Sequence, residues 1–180
     1  VHVEDMTLRP KLEEDNHTGV FNLAVKLSGD AFSEVMVKVQ DATGKQVLAA
    51  TYPSTEEIEV KDQELMDVHP WSNDDPYLYK LTITLRDDRG HVVEVVPYQF
   101  GFRRVEISAD DVLMLNGSRL IINGVNRHEW DCRTGRCITL DDMQFDLATF
   151  KKNNINAVRT CHYADRLEWY SMCDQAGIYV

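Results

Sequence analysis

The chain has 180 residues, of which 43% are hydrophobic and 27% are charged, and its formal net charge is -11 at pH 7. This composition is typical of a folded globular protein, and the length suits one domain and part of a second. Because the acidic balance comes without a basic stripe, it argues against nucleic acid or an anionic membrane as a partner. No apolar run approaches the ~20 residues that a membrane span needs.

Residues 6–104 alternate between apolar and polar side chains, which indicates strands with one buried and one wet face. The clearest runs centre on Phe21 to Leu27, Val35 to Val39 and Leu81 to Leu85. Turn signals separate them at residues 28–30, 41–44 and 87–90. About seven short strands in about 100 residues predict an all-β, immunoglobulin-like β-sandwich over residues 1–104. Pro97 is expected at a sheet edge or a bulge.

The pattern changes after Arg104. Residues 112–122 predict a hairpin around Asn116-Gly117, since Asn-Gly is a strong tight-turn signal. Thr139 is expected to cap a helix whose apolar face carries Met143, Leu147 and Phe150. A strand at residues 155–158, a second helix and a third strand at residues 178–180 follow. For the second helix we expect a face made by Leu167, Tyr170 and Cys173, and Gly177 as the C-cap.

Alternating strands and helices imply a parallel sheet or barrel. Residues 105–180 are therefore interpreted as the N-terminal part of a (β/α)8 barrel, which follows the sandwich as a partial, truncated domain. Within this part, two segments place polar residues where an apolar strand should end: residues 124–129 (GVNRHE) and residues 156–163 (NAVRTCHY). Neighbouring parallel strands bring such ends to one rim, which is where barrel enzymes bind their ligands.

The candidate binding residues at this rim are Asn126, His128, Arg159 and His162. Imidazole offers one donor and one acceptor, which suits a sugar hydroxyl. The alternative is that the arginine and asparagine only cap the rim and that the histidines are satisfied locally. Trp130 and Trp169 suit stacking on a sugar face, but packing roles are the stronger expectation for both.

Two carboxylates, Glu129 and Asp131, lie near the rim, but nothing in their spacing makes them a catalytic pair. Glu129 is expected to pair with a nearby arginine. The cysteines Cys132, Cys137, Cys161 and Cys173 lack the close spacing of a zinc site. The N-terminus has no basic segment followed by an apolar one, as a signal peptide would. The four cysteines are therefore expected to be reduced thiols in a cytoplasmic protein.

The rim segments resemble the start of the catalytic barrel in glycoside hydrolase family 2. The resemblance is carried by LNG at 115–117, INGVNRHE at 122–129 and NNINAVRTCHY at 153–163, and by PWS at 70–72, PYLY at 76–79 and GFR at 101–103. Residues 1–69 match mainly by architecture. The order Asn-Arg-His-Glu is similar to the family's β-galactosidases rather than to its β-glucuronidases or β-mannosidases. Ala164 departs from the family, which usually has proline there.

The resemblance implies a retaining enzyme that hydrolyses terminal β-galactosides such as lactose with two glutamates. By the same resemblance, His128 and His162 would contact the sugar, and Arg159 would support the carboxylate region. The two glutamates would lie beyond residue 180, as would the ligands of Mg²⁺, with Na⁺ a second candidate ion of the parent enzyme. No catalytic residue and no metal ligand is therefore expected in this chain.

The isolated chain is accordingly expected to be inactive and to self-associate through its incomplete barrel segment. The alternative reading of its role is a non-catalytic β-sandwich module that supports domain assembly.

Overall fold

The computed structural model describes residues 2–29, 34–53 and 55–180. Asp30, the last residue of the first turn signal, lies outside these ranges. The N-terminal region contains eight strands in the described residues: β1 (His2–Leu8), β2 (Lys11–Leu12), β3 (Gly19–Ser28), β4 (Glu34–Gln40), β5 (Gln46–Pro53), β6 (Glu57–Leu65), β7 (Tyr79–Arg86) and β8 (Val92–Phe100). They form two antiparallel four-stranded sheets. In one, β3 pairs with β1, β2 and β6, and the other has the order β5-β4-β7-β8.

The two sheets enclose one apolar core, to which both contribute alternate residues. In β3, β4 and β7 the predicted inward residues are buried: Phe21, Leu23, Val25, Leu27, Val35, Val37, Val39, Leu81, Ile83 and Leu85. The Phe21 and Phe100 rings meet across the core with centroids 5.6 Å apart. The predicted immunoglobulin-like sandwich is therefore confirmed. Pro97 lies on the edge strand β8, where a missing N–H is tolerated.

A small three-stranded sheet follows the sandwich. Its strands are β9 (Val105–Ile107), β10 (Leu113–Leu115) and β11 (Ser118–Arg119), paired in the order β11-β10-β9. Asn116 and Gly117 form the turn between β10 and β11 with φ of 50° and 79°, the left-handed region that Asn-Gly favours. The hairpin is confirmed, but its second strand ends at Arg119 instead of continuing to Ile122.

The C-terminal elements are β12 (Gly124–Arg127), α1 (Leu140–Lys152), β13 (Ala157–Thr160) and α2 (Leu167–Ala176). β12 and β13 pair in parallel, and Tyr179 bridges Ala157 in parallel on the other side of β13. The predicted alternation is therefore confirmed from β12 to α2, but the strand predicted at residues 155–158 is Ala157–Thr160, and the third strand predicted at residues 178–180 is a single bridge at Tyr179. Neither helix in the described ranges is long and apolar enough to cross a membrane.

Helix α1 begins as its sequence indicates. Thr139 is the N-cap, its hydroxyl accepts from the Asp142 N–H at 3.2 Å, and the Asp142 carboxylate accepts from the Thr139 N–H at 2.8 Å. This reciprocal pair is a capping box. The helix buries Met143 and Leu147 and packs Phe150 against the same cluster.

The face of helix α2 differs from the prediction. Leu167 is 83% exposed, whereas Trp169 and Cys173 are fully buried. The apolar positions at Leu167, Tyr170 and Cys173 share one face by spacing alone. The buried face keeps Cys173 but has Trp169 in place of Leu167, because the large Trp169 ring packs among the apolar residues of α1 and β13. Gly177 ends the helix in the left-handed region, as predicted.

Trp71 joins the sandwich to the C-terminal elements. Its indole N–H donates to the Asp174 carbonyl at 2.8 Å, and its ring meets the edge of Tyr179 with centroids 5.5 Å apart. On the same loop, Asn73 accepts a hydrogen bond from the Tyr179 hydroxyl at 2.8 Å. The loop before β7 thus packs directly on the end of α2 and the segment after it.

Candidate functional site

The two polar segments lie side by side at the carboxyl ends of β12 and β13. The parallel register pairs Gly124 with Ala157 and Arg127 with Thr160, so both strands end at the same level. The Cys161 N–H continues the pairing by donating to the Arg127 carbonyl at 2.9 Å. The side chains of His128 and His162 therefore emerge at one rim, as the chain order of the two strands indicated.

The two imidazoles are direct neighbours. The His128 and His162 ring centroids are 5.7 Å apart and the rings are nearly perpendicular, at 86°. Both side chains are exposed, and the Tyr163 ring lies 6.1 Å from that of His128. Two adjacent imidazoles with their edges in solvent present several donors and acceptors to a polyhydroxylated ligand.

Cys161 adds a thiol beneath this pair. Its side chain is 2% exposed, and the ligand atoms of His128, Cys161 and His162 all lie within 4.8 Å of one another. The thiol donates to the Arg159 carbonyl at 3.5 Å, and the Arg159 guanidinium approaches the sulfur at 3.8 Å. The sequence spacing did not predict this cluster, because it depends on residues that are more than 30 positions apart.

Asn126 and Arg159 occupy paired positions on β12 and β13, and both are exposed. They lie on the same face of the two-stranded sheet, one pair before its ends. All four predicted binding residues are therefore on neighbouring strand ends.

Arg127 lies on the opposite face of β12 and is buried, with 6% exposure. Its guanidinium donates to Asp146 on α1 at 2.9 Å and to Asp165 in the loop before α2 at 2.8 Å. Glu129 lies 3.8 Å away, and the guanidinium carbon stacks over the Trp169 ring, 3.8 Å from its centroid. One side chain thereby ties both strand-end loops to both helices.

We call Arg127, Glu129, Asp146 and Asp165 the Arg127 cluster. Burial raises the pKa of the Asp165 carboxyl, and the neighbouring Arg127 guanidinium opposes that rise. One oxygen of Asp165 binds Arg127, while the other is buried without a hydrogen-bond partner in the described ranges. A buried carboxylate of this kind depends strongly on its single cationic partner.

The expectation that Glu129 pairs with an arginine is confirmed by Arg127, and Glu129 also accepts from the Arg166 N–H at 3.1 Å. Sequence reasoning placed Arg127 beside His128 in the polar set at the rim, whereas the structure buries it on the opposite face, and it did not identify Asp146 or Asp165 as functionally placed. Alternation along β12 was a signal for Arg127, since it shares the inward face with Val125. No local signal connects it to Asp146 and Asp165.

The two tryptophans near the rim have different environments. Trp169 is fully buried against Arg127 and Phe150, so the expected packing role is confirmed for it. Trp130 is 64% exposed and lies in the loop after His128. The four cysteines are free, with Cys132 and Cys137 exposed and Cys161 and Cys173 buried.

Two family models match the chain. Residues 1–103 match the model described as glycosyl hydrolases family 2, and residues 105–180 match the one described as glycosyl hydrolases family 2, TIM barrel domain. Together they account for nearly the whole sequence.

Curated relatives match along the full length of the chain. It is 50% identical over 179 residues to a β-galactosidase large subunit of Lactobacillus acidophilus, covering 99% of this chain and 28% of that protein. It is 42% identical over 182 residues to a β-galactosidase of Halalkalibacterium halodurans, covering 100% of this chain and 18% of that protein. The chain thus spans less than a third of the relatives that it matches.

Solved structures show the same fold. A β-glucuronidase of Parabacteroides merdae superposes with a TM-score of 0.91 at 23% identity, over 98% of this chain and 23% of that one. A β-glucuronidase of Bacteroides uniformis gives a TM-score of 0.90 at 25% identity, over 98% and 22%. The chain therefore has the fold of these enzymes, and the two matching family models show that it belongs to glycosyl hydrolase family 2.

Proposed function

We propose that this chain is the part of a retaining β-galactosidase that supplies one wall of the galactose-binding site, with Asn126, His128, Arg159 and His162 as its sugar contacts. The observation that carries the proposal is the pair of neighbouring, exposed imidazoles at the ends of two parallel strands. Relatives named β-galactosidase at up to 50% identity support the choice of sugar.

Each proposed contact has a chemical reason. Imidazoles and the Asn126 amide hydrogen-bond to hydroxyl groups in either direction, which a galactose ring presents along its edge. Arg159 adds a cation at the same level of the sheet, suited to holding a carboxylate contributed by another strand. Hydrogen bonds to sugar hydroxyls that strengthen in the transition state accelerate glycoside cleavage.

The acid/base and the nucleophile are proposed to come from other segments of the parent enzyme. Retaining hydrolysis needs two carboxyl groups about 5–5.5 Å apart that face the sugar. Glu129, Asp146 and Asp165 are instead committed to the Arg127 guanidinium behind the rim. We therefore expect the 180-residue chain to bind sugar weakly and to lack turnover.

A magnesium ion of the parent enzyme is likewise proposed to bind outside the described residues. Mg²⁺ takes carboxylate oxygens in a near-octahedral shell. The carboxylates nearest the rim already surround a guanidinium, and a second cation beside Arg127 is electrostatically unfavourable. The Arg127 cluster therefore does not fit Mg²⁺, and the same charge argument applies to Na⁺.

Binding by the chain itself tests the sugar wall. Imidazole NMR signals followed during titration with methyl β-galactoside should shift for His128 and His162 and saturate at millimolar sugar. His128→Ala and His162→Ala should each abolish the shifts of the remaining partner. The matched control is His91→Ala, which removes an imidazole from the β7–β8 turn, and it should leave binding unchanged. If the imidazole chemical shifts of His128 and His162 do not change during the sugar titration, the proposal is overturned.

Turnover tests the division of labour. A chromogenic β-galactoside should not be hydrolysed by the 180-residue chain, whereas the proposed parent β-galactosidase should hydrolyse it. Activity of the chain alone that disappears in His162→Ala would contradict the assignment of catalysis to other segments.

The second candidate function is a structural module. Trp71 and Asn73 fasten the sandwich to the end of α2 and to Tyr179, as a spacer domain would require. This role predicts that sandwich variants change assembly or stability without changing sugar affinity in the titration above. The two roles are compatible in one polypeptide.

We also propose that residues 105–180 self-associate when the chain is isolated. This region exposes four large apolar side chains by 67–83%: Ile107, Ile121, Phe145 and Leu167. Sedimentation velocity over a range of concentrations should show a dimer fraction that grows with concentration, and a concentration-independent monomer would contradict the proposal.

A cytoplasmic location is proposed as well, supported by four unpaired thiols.

A further inference from the structure

We propose that His128, Cys161 and His162 form a binding site for a thiophilic transition-metal ion such as Zn²⁺, at the same rim where the sugar wall lies. The three ligand atoms lie within 4.8 Å of one another. Two imidazoles and one thiol are a ligand set that Zn²⁺ and Co²⁺ take readily and that Mg²⁺ does not.

The geometry requires only small side-chain movements. Tetrahedral zinc with Zn–N of about 2.0–2.1 Å and Zn–S of about 2.3 Å places its ligand atoms roughly 3.3–3.6 Å apart. Because no two of the ligand atoms are more than 4.8 Å apart, reaching that range requires at most about 1.5 Å of closure for any pair. Both histidines are exposed, while Cys161 is held by the backbone hydrogen bond from its N–H to the Arg127 carbonyl.

The surroundings of the sulfur support a bound thiolate. When the metal binds, the Cys161 proton leaves to solvent and the sulfur donates an electron pair to the ion, while each neutral imidazole donates one from a ring nitrogen. The Arg159 guanidinium, 3.8 Å from the sulfur, then donates a hydrogen bond to the thiolate. Hydrogen bonds of this kind to a metal ligand tune its affinity.

Three protein ligands leave a fourth position open. Water occupies that position in zinc sites with three protein ligands and no bound substrate. Because the imidazoles are the proposed sugar contacts, metal and galactoside should exclude each other. This consequence rests on the proposed function, whereas metal binding itself does not.

Cobalt spectroscopy on the chain tests the site directly. Co²⁺ added to reduced protein should produce the d–d spectrum of a tetrahedral site, together with a near-ultraviolet thiolate-to-cobalt absorption. Both should saturate at one equivalent of Co²⁺ per protein. Zn²⁺ should displace it. The experiment uses a Cys132→Ser, Cys137→Ser background, since both of these thiols are exposed. Cys173 does not compete because burial raises the pKa of its thiol to about 12.

Three variants assign the ligands. Cys161→Ser should abolish the thiolate-to-cobalt absorption, and His128→Ala and His162→Ala should each weaken Co²⁺ binding by roughly 10-fold or more. His69→Ala, which removes an exposed histidine of the sandwich, should leave binding unchanged. The histidine variants keep the test decisive even if Cys161→Ser fails to fold, because both side chains are exposed.

The outcomes separate the two proposals. Absence of the thiolate absorption in the background protein, or its persistence in Cys161→Ser, overturns the metal site. If Co²⁺ binds as expected but methyl β-galactoside does not lower its affinity, mutual exclusion is wrong while the metal site stands. If the sugar titration fails and Co²⁺ still binds, only the sugar wall is overturned.

Discussion

The sandwich and the barrel segment bury different chemistry. The sandwich core consists of aliphatic and aromatic side chains drawn from both sheets. In the barrel segment a smaller apolar cluster around Trp169 lies against a buried arginine and a buried aspartate, Arg127 and Asp165. Arg127 and Asp165 are the buried charged side chains among the described residues.

The two kinds of core serve different purposes: the apolar core of the sandwich provides stability, and the buried ion pair of the barrel segment positions neighbouring elements. Apolar burial is non-directional and tolerates rearrangement, which suits a supporting domain. A buried ion pair is directional, and it fixes the relative positions of the elements that contribute to it. Here those elements are α1, the loops after β12 and β13, and helix α2, so the Arg127 cluster positions the strand ends that carry His128 and His162.

The largest expected effect comes from removing Arg127. Arg127→Ala leaves the buried Asp165 carboxylate without its cation, a change that costs about 3–5 kcal/mol in comparable buried pairs. Hydrogen exchange should show lost protection for residues 124–180, while β3 and β7 keep theirs. The control Arg133→Ala removes an arginine that is 80% exposed, and it should change stability by less than about 0.5 kcal/mol. Equal loss of protection in the sandwich would show that the Arg127 cluster does not act on the barrel segment alone.

The next effect concerns the junction of the two regions. Gly177 has φ of 70°, and a Cβ there would clash with the Asn73 carbonyl oxygen. Gly177→Ala therefore combines left-handed strain with a backbone clash, and we expect a loss of about 3 kcal/mol in urea unfolding. Gly44 also has a positive φ, 88°, but open space around it, so Gly44→Ala should cost only about 1 kcal/mol. Equal costs would mean that the contact with Asn73 is not tight.

A smaller effect is expected at the start of α1. Thr139→Ala removes the capping hydroxyl and should lower stability by about 1 kcal/mol. The backbone N–H and the hydroxyl of Thr139 lower the pKa of Asp142. Because the pKa is lower in the folded state, the stabilisation by Asp142 is complete above its unfolded pKa and is lost as the pH falls through the folded value.

Asp142→Ala checks that sign. Its destabilisation, measured by urea unfolding, should be present at neutral pH and shrink as the pH falls below about 4, the unfolded range of aspartate. A destabilisation that does not change with pH would show that the carboxylate charge has no part in the cap.

The smallest effect is expected on the outer face of α2. Leu167 is 83% exposed, so Leu167→Ala should alter the stability of the chain by less than about 0.5 kcal/mol. Met143→Ala, on the buried face of α1, should cost about 2–5 kcal/mol and provides the contrast. Thermal unfolding of both variants measures the difference. A large loss for Leu167→Ala would restore the helix face that the spacing predicted.

Features that depend on a few consecutive residues could be predicted from the sequence. Strand faces in the sandwich, the Asn116-Gly117 turn, the Thr139 cap and the Gly177 C-cap follow from local spacing or from backbone conformations that few residues adopt. The expectation that His128 and His162 share a rim also followed, because parallel strands joined by one crossover end at one edge.

The tertiary structure alone decided which distant side chains meet. Leu167 and Trp169 both suit an inward face by composition, and packing between α1 and β13 selected the tryptophan. The sequence places Arg127 beside His128, but it marks Asp146 and Asp165 only as charges and the thiol of Cys161 only as an unpaired cysteine. Their contacts with one another, or with His128, join residues up to 38 positions apart. Periodicity is set by each residue's own backbone geometry, whereas such contacts depend on how whole elements pack.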